Sequence, residues 1–200
     1  MKLSLRSQSL RSSAGLFSIL ALVACGQPES EELATENLPE PIFVTPSDAD
    51  RTAQAVDPTQ LAKFRADLLI AVNNARKVAR KCGTTSYAAV PALAANTKLH
   101  TAAQVHAANM ASKNFFSHTG LDGKSPFDRM TAAGYAFSYA GENIAAGNST
   151  VTATMTQWLS SPGHCANIMN KNYTEIGFGY DNSATSTYKH YWVQNFGRPR

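Results

Sequence analysis

From Pro41 to the C-terminus the chain carries only two glutamates, Glu142 and Glu175. Glu142 sits in the run Gly141-Glu142-Asn143-Ile144-Ala145, flanked along the sequence by His118 and His164. A carboxylate and two imidazoles, if convergent and neutral at the rings, are suitable zinc ligands that leave an open position for water, as a hydrolytic metal site needs. The same groups can instead form a hydrogen-bonded lattice in which Glu142 orients His118 and fixes the surrounding loops. Spacing does not decide between them, because no His-Glu-x-x-His or comparable local signature is present. Two readings therefore stand side by side: a divalent metal, zinc or calcium, with His118 and His164 among its ligands, and a chiefly structural cluster lining a cleft.

The chain's N-terminus sets the compartment in which any such site would work. Lys2, Arg6 and Arg11 precede the apolar stretch Gly15 to Val23, which is too short for a permanent bilayer span and reads as an export signal. Leu22-Val23-Ala24-Cys25 resembles the bacterial lipobox, which implies cleavage before Cys25 and a lipid anchor on that residue. Ordinary cleavage after Ala24 is the alternative. Gly26 follows in place of Asp, a pattern that in a Gram-negative cell sends a lipoprotein to the outer membrane. If lipid takes Cys25, then Cys82 and Cys165 remain as a pair in an oxidising compartment, and a disulfide is expected. It would close a loop of about 83 residues, worth roughly 4 to 5 kcal/mol on a chain-entropy model. A nucleophilic Cys165 activated by His164 is the competing idea. Adjacent residues on a helix point about 100° apart, so that dyad is geometrically poor.

Charge divides the rest of the chain. Residues 26–60 interleave five prolines with eight acidic residues against one basic residue, Arg51, which describes an extended tether. Residues 61–200 hold 14 Lys and Arg against six Asp and Glu, a strongly basic balance that the whole-chain charge of +4 conceals. This is one domain of ordinary size, large enough for a real core. Its field suits anionic lipid headgroups, lipopolysaccharide or wall polymers, although a basic surface also serves plain solubility. Nucleic acid is a poor partner for an exported, lipid-anchored protein. Nothing in the sequence argues for an oligomer, so a monomer is expected.

The elements that must position the candidate residues follow from periodicity and caps. Asp57-Pro58 and the recurrence of Leu61, Phe64, Leu68, Val72, Ala75 and Val78 predict a helix over about 58–81, with Cys82 on its inward stripe. A second helix over about 96–112 has the stripe Leu99, Ala103, His106 and Met110. His106 is thus expected to be a hydrogen-bonded core histidine, and His100, off the stripe, to be solvated. Asn114 to Gly120 reads as a loop presenting His118 between buried aromatics and solvent. Ser125-Pro126-Phe127-Asp128 opens a short helix that Gly134 ends. Val151, Met155, Trp158 and Leu159 mark another helix, after which Ser161 can cap a turn carrying His164. Tyr173 to Tyr180 and Tyr188 to Phe196 read as an antiparallel hairpin joined through Asp181, Asn182 and Ser183. Parity puts Ile176 and Phe178 on one face and Tyr173 with Glu175 on the other. His190 shares a face with Tyr188 and Trp192 and, on an edge strand, is expected to be structural.

Phe116-Ser117-His118, Gly141-Glu142-Asn143-Ile144-Ala145, Trp158 followed by Ser161-Pro162-Gly163-His164, Ile176-Gly177-Phe178-Gly179 and Tyr191-Trp192-Val193-Gln194-Asn195-Phe196-Gly197 resemble, in that order, a bacterial member of the CAP (SCP-like) superfamily. The resemblance covers about residues 64–197. It implies an α+β fold, a three-layer α-β-α sandwich with a small, mainly antiparallel sheet. It also implies a cleft holding two His and two acidic residues. By motif, His118 and Glu142 match the first His and first Glu, and His164 the second His. The second Glu of many eukaryotic members falls here on Ser161, and Glu175 is the candidate substitute from the strand.

Three functions are compatible with these residues. The leading one is a noncatalytic module at the cell envelope that takes a lipid or wall ligand in its cleft. The others are a metal-assisted, protease-like hydrolase using His118, Glu142 and His164, and a surface-interaction protein whose cleft is purely structural.

Overall fold

The computed structural model describes residues 56–200, so the expected export signal, Cys25 and most of the expected acidic tether lie outside the described residues. From Val56 the chain forms α1 (Pro58–Arg76), β1 (Arg80–Cys82), β2 (Thr85–Tyr87), β3 (Ala94–Ala95), α2 (Thr97–Ser112), α3 (Pro126–Ala132), β4 (Phe137–Ala146), α4 (Val151–Ser160), α5 (Pro162–Ile168), β5 (Glu175–Asn182) and β6 (His190–Pro199). The main sheet has the order β3-β5-β6-β4; its three long strands are antiparallel, and β3 adds a short parallel edge to β5.

Alternation along the strands builds the layers. Ile176, Phe178 and Tyr180 of β5 and Trp192 and Phe196 of β6 bury against α1, α4 and α5 in the largest core cluster. Tyr191 and Val193, with Ile144 of β4, face α2 instead. Leu99 and Ala102 of α2 meet Met130 and Tyr135 beside α3. The result is an α-β-α sandwich in which Trp158, Trp192 and Phe178 are almost wholly removed from water, each worth roughly 1.5 to 3 kcal/mol of burial. On the α2 side, Gly177 and Gly179 lie against the helix backbone. A Cβ at Gly177 would collide with Leu99 and His100, and one at Gly179 with Ala103 and Gln104. The glycines of the Ile-Gly-Phe-Gly run therefore let α2 lie flush on the sheet.

Helix starts follow the side-chain chemistry. Asp57 Oδ1 accepts from the Thr59 amide at 3.0 Å, and Asn96 caps α2 by accepting from the Lys98 and Leu99 amides. Ser125 and Asp128 form a reciprocal capping box on α3. Ser161 occupies the N-cap position of α5 but makes no side-chain cap bond there.

Four expectations change. Helix α1 ends at Arg76 rather than 81, because residues 80–82 pair with residues 85–87 in a hairpin and Cys82 is bonded to Cys165 of α5, with a Cα separation of 5.4 Å. Val78, left outside the helix, is exposed. His100 is not solvated: its Nδ1 accepts from the Phe178 amide at 2.9 Å. Strand β5 starts at Glu175, so the parity argument fails for Tyr173, which joins the Ile176 side and stacks on Phe196 at 5.1 Å. His190 opens β6, an interior strand paired on both sides, and its Nδ1 lies 2.8 Å from the Tyr180 hydroxyl. His106 is buried, with Nε2 2.8 Å from the Ser117 carbonyl, as a packed core histidine requires.

Candidate functional site

The Gly-Glu-Asn run lies in β4, whose register sets Glu142 opposite Asn195 of β6. Glu142 thereby points to the α2 and α3 face, where its side chain is 2% exposed. Its two oxygens have different partners. Oε1 accepts from His118 Nδ1 at 2.9 Å, and Oε2 accepts from Arg129 Nη2 at 2.9 Å. With its amide turned to satisfy both neighbours, Asn195 also donates to Oε2 at 3.1 Å and accepts from the Ala103 amide at 3.2 Å.

Arg129, on α3, connects carboxylate to loop. Besides Glu142 it donates through Nη2 to the His118 carbonyl at 2.9 Å and through Nη1 to the Lys124 carbonyl at 3.0 Å. His106 Nε2 holds the preceding carbonyl, that of Ser117. The loop bearing His118 is thus clamped from two elements, while the His118 side chain itself stays 50% exposed. Donation from Nδ1 to the carboxylate selects the tautomer in which Nε2 carries the lone pair. Glu142 and Arg129 therefore hold an imidazole with one committed nitrogen and one available for a ligand.

His164 reaches the same strand from the opposite layer. The side chain of Asn143, next to Glu142, turns away from it and donates to the His164 carbonyl at 3.1 Å and to Gln194 Oε1 at 2.9 Å. Asn167 donates in turn to Asn143 Oδ1 at 2.9 Å, so a buried amide chain fastens α5 to the sheet. His164 Nδ1 is buried and has no hydrogen-bond partner among the described residues. Burial, and secondarily the charge of His118, depress the His164 pKa below the ordinary imidazole value. This histidine is neutral at pH 7.

Glu175 belongs to a different set of contacts. It lies opposite Gly197 in β6, and its Oε2 accepts from the Tyr135 hydroxyl at 2.7 Å and from Asn96 Nδ2 at 3.2 Å. None of its hydrogen bonds reaches His118, Glu142 or His164. Burial, followed by the contact with Glu175, raises the Tyr135 phenol above its usual pKa.

Both Glu142 oxygens are engaged, which leaves His118 Nε2 and the His164 ring. Among the described residues no group of three or more His, Cys, Asp or Glu side chains converges to hold an ion. A catalytic zinc with three protein ligands does not fit this arrangement, and the oxygen-rich shell of calcium fits it less. Behind the His118 loop, a cavity of about 210 Å³ between α2 and α3 is lined by Val105, Leu121, Lys124 and Arg129 among others, so Arg129 is shared between cavity and site.

Arg129, Asn195, Asn143 and Asn167 are the members of this arrangement that the sequence reading did not single out. Strand parity would have paired Asn195 with Glu142 once β4 and β6 were known neighbours. For Arg129 the capping box located the helix, but no local signal said which carboxylate its guanidinium would meet.

Several comparisons bear on this geometry. The model of the cysteine-rich secretory protein family, CAP, matches residues 69–196. The uncharacterized protein YkwD of Bacillus subtilis is 39% identical over 98 residues, covering 49% of this chain and 36% of that protein. The uncharacterized membrane protein YlbC of the same organism is 35% identical over 91 residues, 46% of this chain and 24% of the relative. The chain thus spans about a third of the length of the first curated relative and about a quarter of the second. Among solved structures, an extracellular SCP-domain protein of Bacillus anthracis superposes with a TM-score of 0.57 at 26% identity, over 72% of this chain and 44% of that one. The venom allergen-like protein 4 of Schistosoma mansoni shares the fold, with a TM-score of 0.51 at 18% identity over 70% and 91% of the two chains. With the family model covering well over half of the chain and the sandwich built as described, this protein belongs to the CAP, or cysteine-rich secretory protein, family.

Proposed function

We propose that the chain is an exported CAP domain, anchored at the cell envelope through Cys25, that binds a lipid or wall ligand at the His118 and Glu142 site without catalysis. The observation that carries this reading is the engagement of Glu142. A carboxylate that accepts from Arg129 and Asn195 on one oxygen and from His118 on the other is poorly placed to act as a general base or to activate a nucleophile. What the site offers to solvent is a clamped imidazole on a basic domain, suited to an anionic or hydrogen-bonding group of an envelope polymer or headgroup. Export agrees with similar proteins described as extracellular in Bacillus anthracis and as an outer surface protein in Borrelia burgdorferi. The test is mass spectrometry of lipid and glycan extracted with the native, full-length protein. It is joined to titration of the purified domain with anionic and neutral vesicles and with wall fragments, for wild type and His118→Ala. Ligand recovered with wild type and lost with His118→Ala supports the reading; no ligand in any arm ends it.

One observation favours the second reading, metal-assisted hydrolysis at His118, Glu142 and His164, in the form where the two rings hold the metal and Glu142 orients His118 rather than ligating. A carboxylate that fixes a histidine so that its other nitrogen stays available is how many metal-bound histidines are oriented, and His164 keeps a buried nitrogen without a partner. Stoichiometric metal in the native protein, lost together with hydrolysis in His118→Ala and His164→Ala, would replace the binding reading with this one. If Glu142→Ala lowers stability while every binding assay is unchanged, the cleft is structural and the chain is a surface-interaction protein.

A further inference from the structure

Strand β5 has an outer edge that β3 covers only in part. The short parallel strand pairs Ala94 and Ala95 with Glu175 and Ile176, and its last bond runs from the Asn96 amide to the Ile176 carbonyl at 2.9 Å. Beyond that point the outward-facing backbone groups belong to Phe178 and Tyr180, and among the described residues no strand pairs with them on this side. An edge of that kind is a template for another extended chain. Here side chains from two helices take the place of the missing strand. Gln104 of α2 accepts from the Tyr180 amide at 3.2 Å and donates to the Tyr180 carbonyl at 2.9 Å. His100, one turn earlier on α2, accepts from the Phe178 amide through Nδ1 at 2.9 Å, and Arg65 of α1 donates through Nε to the Phe178 carbonyl at 3.0 Å. Arg65 Nη2 reaches Gln104 Oε1 at 3.5 Å, which links the two pairs.

The two pairs are alike in geometry and unlike in chemistry. An amide oxygen accepts at any pH, whereas an imidazole nitrogen accepts only while it is unprotonated. The geometry points to a pH-sensitive latch on the β5 edge: His100 closes it by accepting from the Phe178 amide, and a proton on Nδ1 opens it. Protonation converts Nδ1 from acceptor to donor, so it can no longer hold the Phe178 N–H and turns instead toward the Phe178 carbonyl, 3.3 Å away, where Arg65 already donates. The groups facing the His100 ring are Arg65 from α1 and the Phe178 backbone and ring from β5, the rings 6.0 Å apart. Burial and the Arg65 charge both favour the neutral ring, so the latch is closed at neutral pH and the opening belongs to acid conditions. Once open, the edge carries a Phe178 N–H without its acceptor.

Tyr180 supplies the internal control, since its amide sits on the same edge and is held by a side chain that does not titrate. Amide hydrogen exchange of the described domain within the full chain, read as protection factors by NMR at pH 7.5 and at pH 5.0, tests the idea. The Phe178 amide is expected to lose at least tenfold in protection at the lower pH while Tyr180 changes by less than twofold. In His100→Gln, whose amide oxygen can accept as Gln104 does, Phe178 is expected to be equally protected at both values. A wild-type Phe178 amide that keeps its protection after the His100 ring has titrated, followed by the ring's ¹⁵N shifts, overturns the latch. A loss at Tyr180 that parallels Phe178 overturns it too, as does the same loss in His100→Gln.

Discussion

Glu142 and Glu175 project from the same face of one sheet, with only β6 between their strands, yet their surroundings differ in kind. Glu142 meets a guanidinium that is itself 7% exposed and holds an imidazole out toward solvent. Glu175 meets a phenol and a primary amide, and no cation pairs with it among the described residues. The first arrangement keeps a buried charge and uses it to orient a neighbour. The second ties the start of α2 and the end of α3 to the sheet through neutral donors. Carboxylates equally scarce in sequence are thus separated by what the neighbouring helices bring to them.

The largest effect should come from breaking the charged region. Glu142→Ala leaves the Arg129 guanidinium buried without its counter-charge and should cost roughly 3 to 5 kcal/mol, as removal of one member of a buried pair does. In urea unfolding at pH 7, the double variant Glu142→Ala with Arg129→Met should be more stable than the additive sum of the singles. A single-variant cost below about 1 kcal/mol would erase the contrast with Glu175.

Acid should act next. Burial depresses His106 and His100 of α2 and His164 of α5. A histidine whose folded pKa lies below its unfolded value of about 6.5 binds fewer protons when folded. Its contribution is fully present above that value and is lost as pH falls through it toward the folded pKa. Unfolding free energy should therefore decline from pH 7.5 to pH 5, and His106→Asn should flatten the decline. A stability that rises over that interval contradicts the assignment of these rings as neutral.

Glu175→Gln should be milder, near 1 kcal/mol, because the amide oxygen can still accept from Tyr135. Its distinguishing sign is spectroscopic. The Tyr135 phenol should titrate lower than in wild type, since the carboxylate contributes to its rise, while remaining above the ordinary value because burial is the larger cause. Tyrosine absorbance between pH 8 and 12, with Tyr135→Phe as reference, measures it. The smallest effect on stability is expected from His118→Ala. That side chain is half exposed, so its hydrogen bond to Glu142 is worth at most about 1 kcal/mol. Under the proposed function the same variant loses ligand, which separates a presented histidine from a supporting one.

Much of this molecule could be read before folding. Local chemistry wrote the Asp57 and Ser125 starts, and apolar spacing marked α2 and α4, including His106 as a core histidine. The order of five motifs identified the family, and setting Cys25 aside as an expected lipid anchor left the pair that is bonded, Cys82 and Cys165. Where the reading stopped, long-range pairing was the cause. Hairpin pairing and the disulfide shortened α1, and the true start of β5 moved Tyr173 to the other side of the sheet.

By itself, then, the sequence determined which elements form and which residues carry titratable chemistry, because caps, periods and residue types act over a few positions. Only the tertiary structure decided that Arg129, 13 residues before Glu142, would be that carboxylate's cation and that Glu175 would have none among the described residues. The same folding set His100, 78 residues from Phe178, on the sheet edge. Partners of this kind depend on which strand lies opposite which and on which helix covers which face, and no local pattern encodes that.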